Sequence, residues 1–461
     1  MVLTLGARSD DFSVYPLRRR DLVNAIKQEY PECKTGIVVL FAAFENDEQR
    51  FRQESSFFYL TGLTDPSTVV IMDLESRATL YLPACSKDRS AWMYSELPLT
   101  PTNLKKLGID QMRDLGKPCQ GYQLHPYFTQ AEYEHVLARM AQTVAAGGSI
   151  FTLSPTSTYE YVEQRFVLDR LFTFMPHLSA HVRDVSQIVA RMRRKKDMRE
   201  IEQLYKAIEI TGLAQEAAAQ SIQAGVNEAE VQAALEYMFT GSQALPAFPS
   251  IVGSGKNSTI LHYHANSHVL KNGDLVVVDI GARYQGYCAD ITRTYPVSGT
   301  FNKRQRELYQ MVLDTQEYIA DKAKPGIWLK NKEKPDQSLH HLAQEFLDKK
   351  GYGKYFIHGI GHYLGLDVHD VGDYTEPLHE GDVFTIEPGI YIAQENIGIR
   401  IEDDYWVVKD GVVCLSESLP KKPNDIQDFM QDLEPDESAG QYQEEQELFH
   451  DDEDDDQDDE H

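Results

Sequence analysis

Two aspartates stand where buried strands want apolar side chains. In Val276–Thr294 ("VVVDIGARYQGYCADITRT"), Asp279 closes a run of three valines and Asp290 follows eleven residues later. An unpaired charge inside a hydrophobic strand is costly or is neutralised, so the pair needs a counter-charge. A two-residue turn at Gln285-Gly286 would set Tyr284 opposite Tyr287 and Asp279 opposite Thr292. Asp290 would then lie two residues from Thr292 on the same face, a diagonal of about 7–8 Å that side chains can close around cations. A three-residue loop would send the carboxylates to opposite faces. The competing reading is two solvent-facing aspartates on an edge strand.

Further donors come from distant segments. "YFIHGIGHYLGLDVHDVG" places His358, His362 and His369 within twelve residues, among glycines that permit close approach. Glu387 follows an apolar run and precedes Pro-Gly in "DVFTIEPGIYI", and in "NIGIRIEDDYWVV" Arg400 and Glu402 alternate with Ile399 and Ile401. Each is weak alone, because strand carboxylates usually face water. Together Asp279, Asp290, His362, Glu387 and Glu402 offer four carboxylates and one imidazole. Oxygen-rich sets of this kind suit hard or borderline divalent metals such as Mn²⁺. Four negative ligands balance two dications, and paired metals can hold a hydroxide at neutral pH and stabilise a tetrahedral intermediate.

These donors must be positioned by a chain of 461 residues, enough for two or three domains. The first third alternates helix and strand patterns: "LRRRDLVNAIKQEY" at helical spacing, then "TGIVVLFAAF", "STVVIMDL" and "ATLYLPA" as strands. That alternation predicts an α/β layer with partly parallel strands. A long helical stretch, 186–222, begins the second domain, and its basic cluster (Arg191, Arg193, Arg194, Lys195, Lys196) reads as a solvated helix face. The expected division is an α/β domain over 1–180, a catalytic domain over 181–424 and a disordered acidic tail over 425–461.

The charge of −27 is concentrated in that tail, which holds 18 acidic residues from Asp425 onward and no Lys or Arg. A mildly acidic body argues against nucleic acid as a partner. The longest apolar run, Ile37–Phe44, is far short of the roughly 20 residues a membrane span needs, so no membrane is expected either. No secretory signal is evident at the N-terminus. Five dispersed cysteines without a C-x-x-C suggest free thiols and a cytoplasmic setting. Cys288, close to Asp290, reads as strand filling rather than as a ligand.

The ordered series "RQESSFFYLTGL", "SIVGSGKNSTILHYH", "DLVVVDIGARYQGYCADITRTYPV", "HGIGHYLGLDVHDVG", "TIEPGIYI" and "GIRIEDD" resembles aminopeptidase P, of the pita-bread metallopeptidases. The likeness covers nearly the whole chain except the tail. It implies an α/β N-terminal domain of the creatinase/aminopeptidase P type followed by an α+β pita-bread catalytic domain. It implies Asp279, Asp290, His362, Glu387 and Glu402 as ligands of two divalent metal ions, most readily Mn²⁺, with Asp290 and Glu402 bridging them. His262, His358, His369 and Arg400 match groups that contact substrate or steady the intermediate, and Glu387 is the expected proton shuttle. No role is given to His264.

The implied reaction is hydrolysis of peptides with proline at the second position, by a hydroxide bridging the two metals. The Xaa-Pro bond has no N–H to grip, so a pocket for the pyrrolidine ring is required. A homo-oligomer, dimer or tetramer, is usual in that family. The segment between Glu387 and Glu402 is shorter than in many aminopeptidases P, which bears on substrate length. Two rivals stand beside this reading. One is prolidase, which shares fold and ligands but cleaves only Xaa-Pro dipeptides. The other is a metal-free binding or chaperone module, for which the acidic tail is the one suggestive feature.

Overall fold

The computed structural model describes residues 12–45, 50–84, 97–118, 129–155 and 161–431; Cys85, Cys119 and the acidic run after residue 431 lie outside them. In the N-terminal half, helix α1 (Val14–Glu29) turns Leu22, Val23 and Ile26 inward. Strands β1 (Gly36–Phe41), β2 (Val69–Asp73), β3 (Ala78–Leu82), β4 (Gln111–Asp114), β5 (Ser149–Thr152) and β6 (Val182–Asp184) form one sheet in the order β4-β3-β2-β1-β5-β6. The three strands expected from the apolar runs are β1, β2 and β3, an antiparallel meander. The pairs β3–β4, β1–β5 and β5–β6 are parallel. Parallel neighbours need long crossovers. After α2 (Ser55–Thr61), helices α3 (Pro101–Lys106), α4 (Glu134–Ala145) and α5 (Val162–Phe174) lie between successive strands from β3 to β6. The sheet continues past the expected boundary at residue 180, because Val182–Asp184 pairs with β5.

The stretch read as one helix is two, α6 (Ser186–Arg194) and α7 (Met198–Ser221), followed by α8 (Glu228–Gly241). Asp197 caps α7 and Glu200 answers it, a capping box that restarts the helix at "DMRE". The basic cluster is also not a solvated face. Arg193, Arg194 and Lys196 are buried and paired with Asp367, Asp370 and Asp382, while Arg191 reaches Glu29 at the surface. Three cations can leave water here because each finds a buried carboxylate.

The second half carries β7 (Leu245–Pro246), β8 (Ile251–Ser254), β9 (Leu275–Ile280), β10 (Ala282–Tyr284), β11 (Tyr287–Cys288) and β12 (Ile291–Pro296). After α9 (Lys303–Lys322) and α10 (Leu339–Lys349) come β13 (Val383–Ile386), β14 (Gly389–Ile392), β15 (Ile397–Arg400), β16 (Asp403–Val408) and β17 (Gly411–Cys414). They form the sheets β12-β9-β8 and β13-β16-β17, the pair β14-β15, and β11-β10-β7. Two buried glutamines fasten helices behind these strands. Gln215 of α7 donates to Val278 O and Ile291 O, and Gln316 of α9 donates to Ile386 O and Ile401 O.

The last described segment, α11 (Pro423–Gln431), is a helix with Ile426 buried, although disorder was expected from residue 425. Ile426 anchors it in the core, which a composition dominated by acidic residues hid. Among the described residues no helix is long and apolar enough to cross a membrane.

Candidate active site

The turn at Gln285-Gly286 has two residues, both at positive φ (49° and 91°), the backbone of a type I′ turn. It sets the expected register, with Tyr284 opposite Tyr287 and Asp279 opposite Thr292. The hairpin switches sheets at Gly281, where a Cβ would lie 1.8 Å from Ala289 O. Asp279 at the end of β9 and Asp290 ahead of β12 thereby enter one cavity of about 680 Å³.

A second strand-like approach brings in His362 and Glu387. Residues 360–364 run beside β13: Leu364 N donates to Val383 O, Thr385 N to His362 O and Glu387 N to Ile360 O, each at 2.9 Å. Gly361 allows this contact, since a Cβ there would lie 1.8 Å from Thr385 O. Glu402 N donates to Thr292 O at 3.1 Å and ties β15's exit to β12.

Side-chain atoms of Asp290, His362 and Glu402 lie within 4.8 Å of one another. His362 Nε2 is 3.3 Å from Asp290 Oδ2 and 3.8 Å from Glu387 Oε1. Its Nδ1 is 3.1 Å from Tyr363 O, which leaves Nε2 to face the carboxylates. Asp279 joins from the other side, its Oδ2 accepting from Arg400 Nη2 at 2.5 Å. Thr292 Oγ1 donates to Glu402 Oε2 at 2.7 Å and accepts from Arg400 Nε at 3.1 Å. All nine residues singled out by the sequence line the cavity: the five candidate ligands with His262, His358, His369 and Arg400. His264, given no role, lines it too.

The electrostatics disfavour four ionised carboxylates standing alone. Burial, and then the charge of Asp279, holds Asp290 well above the usual carboxylate range. Burial, and then Asp290, does the same to Glu402. Burial, opposed by His362 and Arg400, leaves Glu387 raised to about 7. Asp279 Oδ1 is buried with no hydrogen-bond partner. Arg400 is the one arginine that these four carboxylates contact among the described residues. Four crowded carboxylates, one orphaned oxygen and one imidazole nitrogen fit divalent metal ions, which would relieve the repulsion.

His358 and His369 are held neutral. Burial, then Arg400, lowers His358 to about 3, and burial, then His362, lowers His369 to about 4. His369 stacks on His362 with ring centroids 4.0 Å apart.

The sequence matches the model of metallopeptidase family M24 over residues 202–409, and that of the aminopeptidase P N-terminal domain over 15–118. It is 32% identical to the Xaa-Pro aminopeptidase of Escherichia coli (strain K12), over 85% of this chain and 93% of that one. The chain belongs to the aminopeptidase P family.

Its structure superposes on a variant of Escherichia coli aminopeptidase P in complex with substrate with a TM-score of 0.75 and 27% identity, covering 92% of this chain and 99% of that one. The chain also resembles the Xaa-Pro dipeptidase of Pyrococcus horikoshii, 42% identical over 51% of this chain and 66% of that protein. The fold is therefore the one expected of aminopeptidase P, a pita-bread domain behind an α/β N-terminal domain.

Sequence reading missed Tyr391, whose hydroxyl joins the site: Arg400 Nη1 donates to it at 2.7 Å and His358 Nε2 lies 2.9 Å away. Its signal was available, because the β14–β15 hairpin sets Gly389 opposite Arg400 and places Tyr391 two residues along the same face. Asp404 was also missed. Its Oδ2 accepts from Asp290 N at 3.2 Å, and burial, then Asp290, raises its pKa well above the ordinary value. Nothing in "EDD" separated it from the acidic residues around it.

Proposed function

We infer that this chain is a metal-dependent exopeptidase that hydrolyses the bond between an N-terminal residue and a following proline. The observation that carries the reading is the gathering of four carboxylates, three of them buried, and His362 Nε2 in one cavity that His262, His358 and His369 also line. Two ions would be held by Asp279, Asp290, His362, Glu387 and Glu402, and the oxygen-rich donor set supports Mn²⁺. Bound, they supply Lewis acidity and a nucleophile from water at neutral pH.

The remaining work falls to the chain's own side chains. Phe248, Ile251, Leu261 and Val368 give the cavity an apolar side suited to a pyrrolidine ring. Neutral His358 and His369 can hydrogen-bond a peptide without adding charge. Glu387 is placed to pass a proton, its Oε2 lying 3.4 Å from His358 Nδ1. Arg400, ion-paired to Asp279 and bound to Tyr391, presents a fixed positive charge beside them.

The decisive experiment strips metal with chelator, restores Mn²⁺, and compares Xaa-Pro-Yaa, Xaa-Ala-Yaa and Xaa-Pro substrates. The reading expects Mn²⁺-dependent release of Xaa from the first alone. Cleavage of Xaa-Pro only would establish the dipeptidase alternative, which the 42% identity over half of this chain keeps open. Full activity on Xaa-Ala-Yaa would sink proline specificity. Cys33, Cys288 and Cys414 are free thiols, which supports a cytoplasmic setting. Family likeness supports a homo-oligomer, dimer or tetramer, which light scattering on the purified chain would establish.

A further inference from the structure

His369 makes no side-chain hydrogen bond among the described residues; its place is set by its backbone and by the stack on His362. That backbone is the loop that follows residues 360–364 and leads toward β13, and it is gripped from both sides. On the catalytic side, Cys288 N donates to Gly365 O at 2.8 Å and Arg283 Nη1 to Leu366 O at 2.7 Å. On the other side the grip comes from the N-terminal half. Arg52 pairs with Asp367, Ser55 Oγ donates to Asp367 Oδ1 at 2.8 Å, and Arg193 Nη2 reaches Asp367 Oδ2 at 2.7 Å and Asp370 Oδ1 at 2.6 Å. Arg193 Nη1 in turn donates to Ser56 Oγ at 2.9 Å, so α2, α6 and the loop form one network. Lys196 Nζ closes it on Asp370 Oδ2 at 3.0 Å.

Arg52, Asp367 and His369 also form the wall shared by the main cavity and a neighbouring one of about 420 Å³. In the sequence the segment carrying Arg52 and Ser55, "RQESSFFYLTGL", entered only as part of the family resemblance.

We propose that the N-terminal domain takes part in catalysis as a clamp: Arg52 and Ser55, acting through Asp367, are positioning residues that fix the loop bearing His369 against the substrate cavity. Arg193 and Lys196 are the buried, structural half of the clamp. Arg52, half-exposed, and Ser55 are the half that can be altered while the fold persists.

The test uses Arg52→Gln, Ser55→Ala and Arg52→Lys in the full chain, with His369→Ala as background; its kinetic arm rests on the peptidase reading above. With Xaa-Pro-Yaa, Arg52→Gln should lower kcat about tenfold at nearly unchanged KM, and Ser55→Ala less. Arg52→Lys should recover most of the loss. In the His369→Ala background Arg52→Gln should cost nothing further, because both changes remove one function. Hydrogen exchange, which needs no activity, should show amides of residues 364–371 opening about tenfold more often in Arg52→Gln, with other segments unchanged. An undiminished loss in the His369→Ala background, wild-type kcat in Arg52→Gln, or unchanged exchange across 364–371 would each overturn the clamp. Should the wild-type chain cleave no Xaa-Pro bond, the peptidase reading fails by itself and the exchange arm still decides.

Discussion

At Glu387, burial leaves a carboxyl raised to about 7 between His358 and His362. A glutamine there keeps shape and loses the proton. Glu387→Gln should therefore lower kcat on Xaa-Pro-Yaa about 10³-fold. Metal content by mass spectrometry separates loss of the proton from loss of ions; wild-type turnover with metals bound would refute the shuttle.

His340, outside the ligand set, allows a cleaner pH argument. Burial, then Lys330, lowers it to about 4, and its Nδ1 is buried without a partner. The unfolded chain binds its proton first, near pH 6.5, so the neutral folded form contributes stability above that pH. The contribution drains away as pH falls from about 6.5 to about 4, worth on the order of 2 kcal/mol. Urea titrations across that window should show a shallower loss in His340→Asn than in the parent chain; identical slopes would remove His340 from the account.

At the scale of elements, a short contact aims the site. Gly361 lets residues 360–364 lie against β13, and a Cβ there meets Thr385 O at 1.8 Å. Gly361→Ala should push His362 away from Asp290 and weaken metal binding about 10–100-fold, as expected when a ligand's support is disturbed. Metal titration by calorimetry would show it, and unchanged affinity would mean the loop shifts freely.

The loop carrying His262 depends on Glu228 at the start of α8. This buried carboxylate accepts from Ser254 N, Ser254 Oγ, Asn257 Nδ2, Tyr263 Oη and His268 N. Glu228→Ala strands five donors and should cost about 3 kcal/mol or more, read by denaturant unfolding. The same loop was legible in sequence only as a motif around His262, because the carboxylate that organises it lies 34 residues upstream on another element.

For the whole molecule, the folded state alone brings the five proposed ligands from three distant stretches together, so the proposed ions would bind the folded chain and not the unfolded one. Chelation should lower the melting temperature and Mn²⁺ should restore it. At about 100 times the dissociation constant the shift corresponds to about 2.7 kcal/mol. A melting curve indifferent to chelator would contradict the metal centre. Arg52 and Ser55 of the N-terminal half meet Asp367, and Ser56 accepts from Arg193, so the buried ion network of Arg193, Arg194 and Lys196 with Asp367, Asp370 and Asp382 is continuous with contacts between the two halves.

What the sequence determined by itself was local and chemical. Residue type and a period of two left two parities open, one for a turn of two residues and one for a turn of three, and only the former sets Asp279 opposite Thr292, as the folded hairpin does. Donor chemistry pointed to divalent metal before any fold was drawn. What only the tertiary structure decided were facts of environment. "RMRRKK" reads as a wet helix face until three aspartates from residues 367 to 382 fold over it. Tyr391 and Asp404 read as ordinary strand residues until Arg400 and Asp290 arrive beside them. A charge's partner is chosen by proximity in space, and proximity between segments far apart in the chain exists only once the chain has folded.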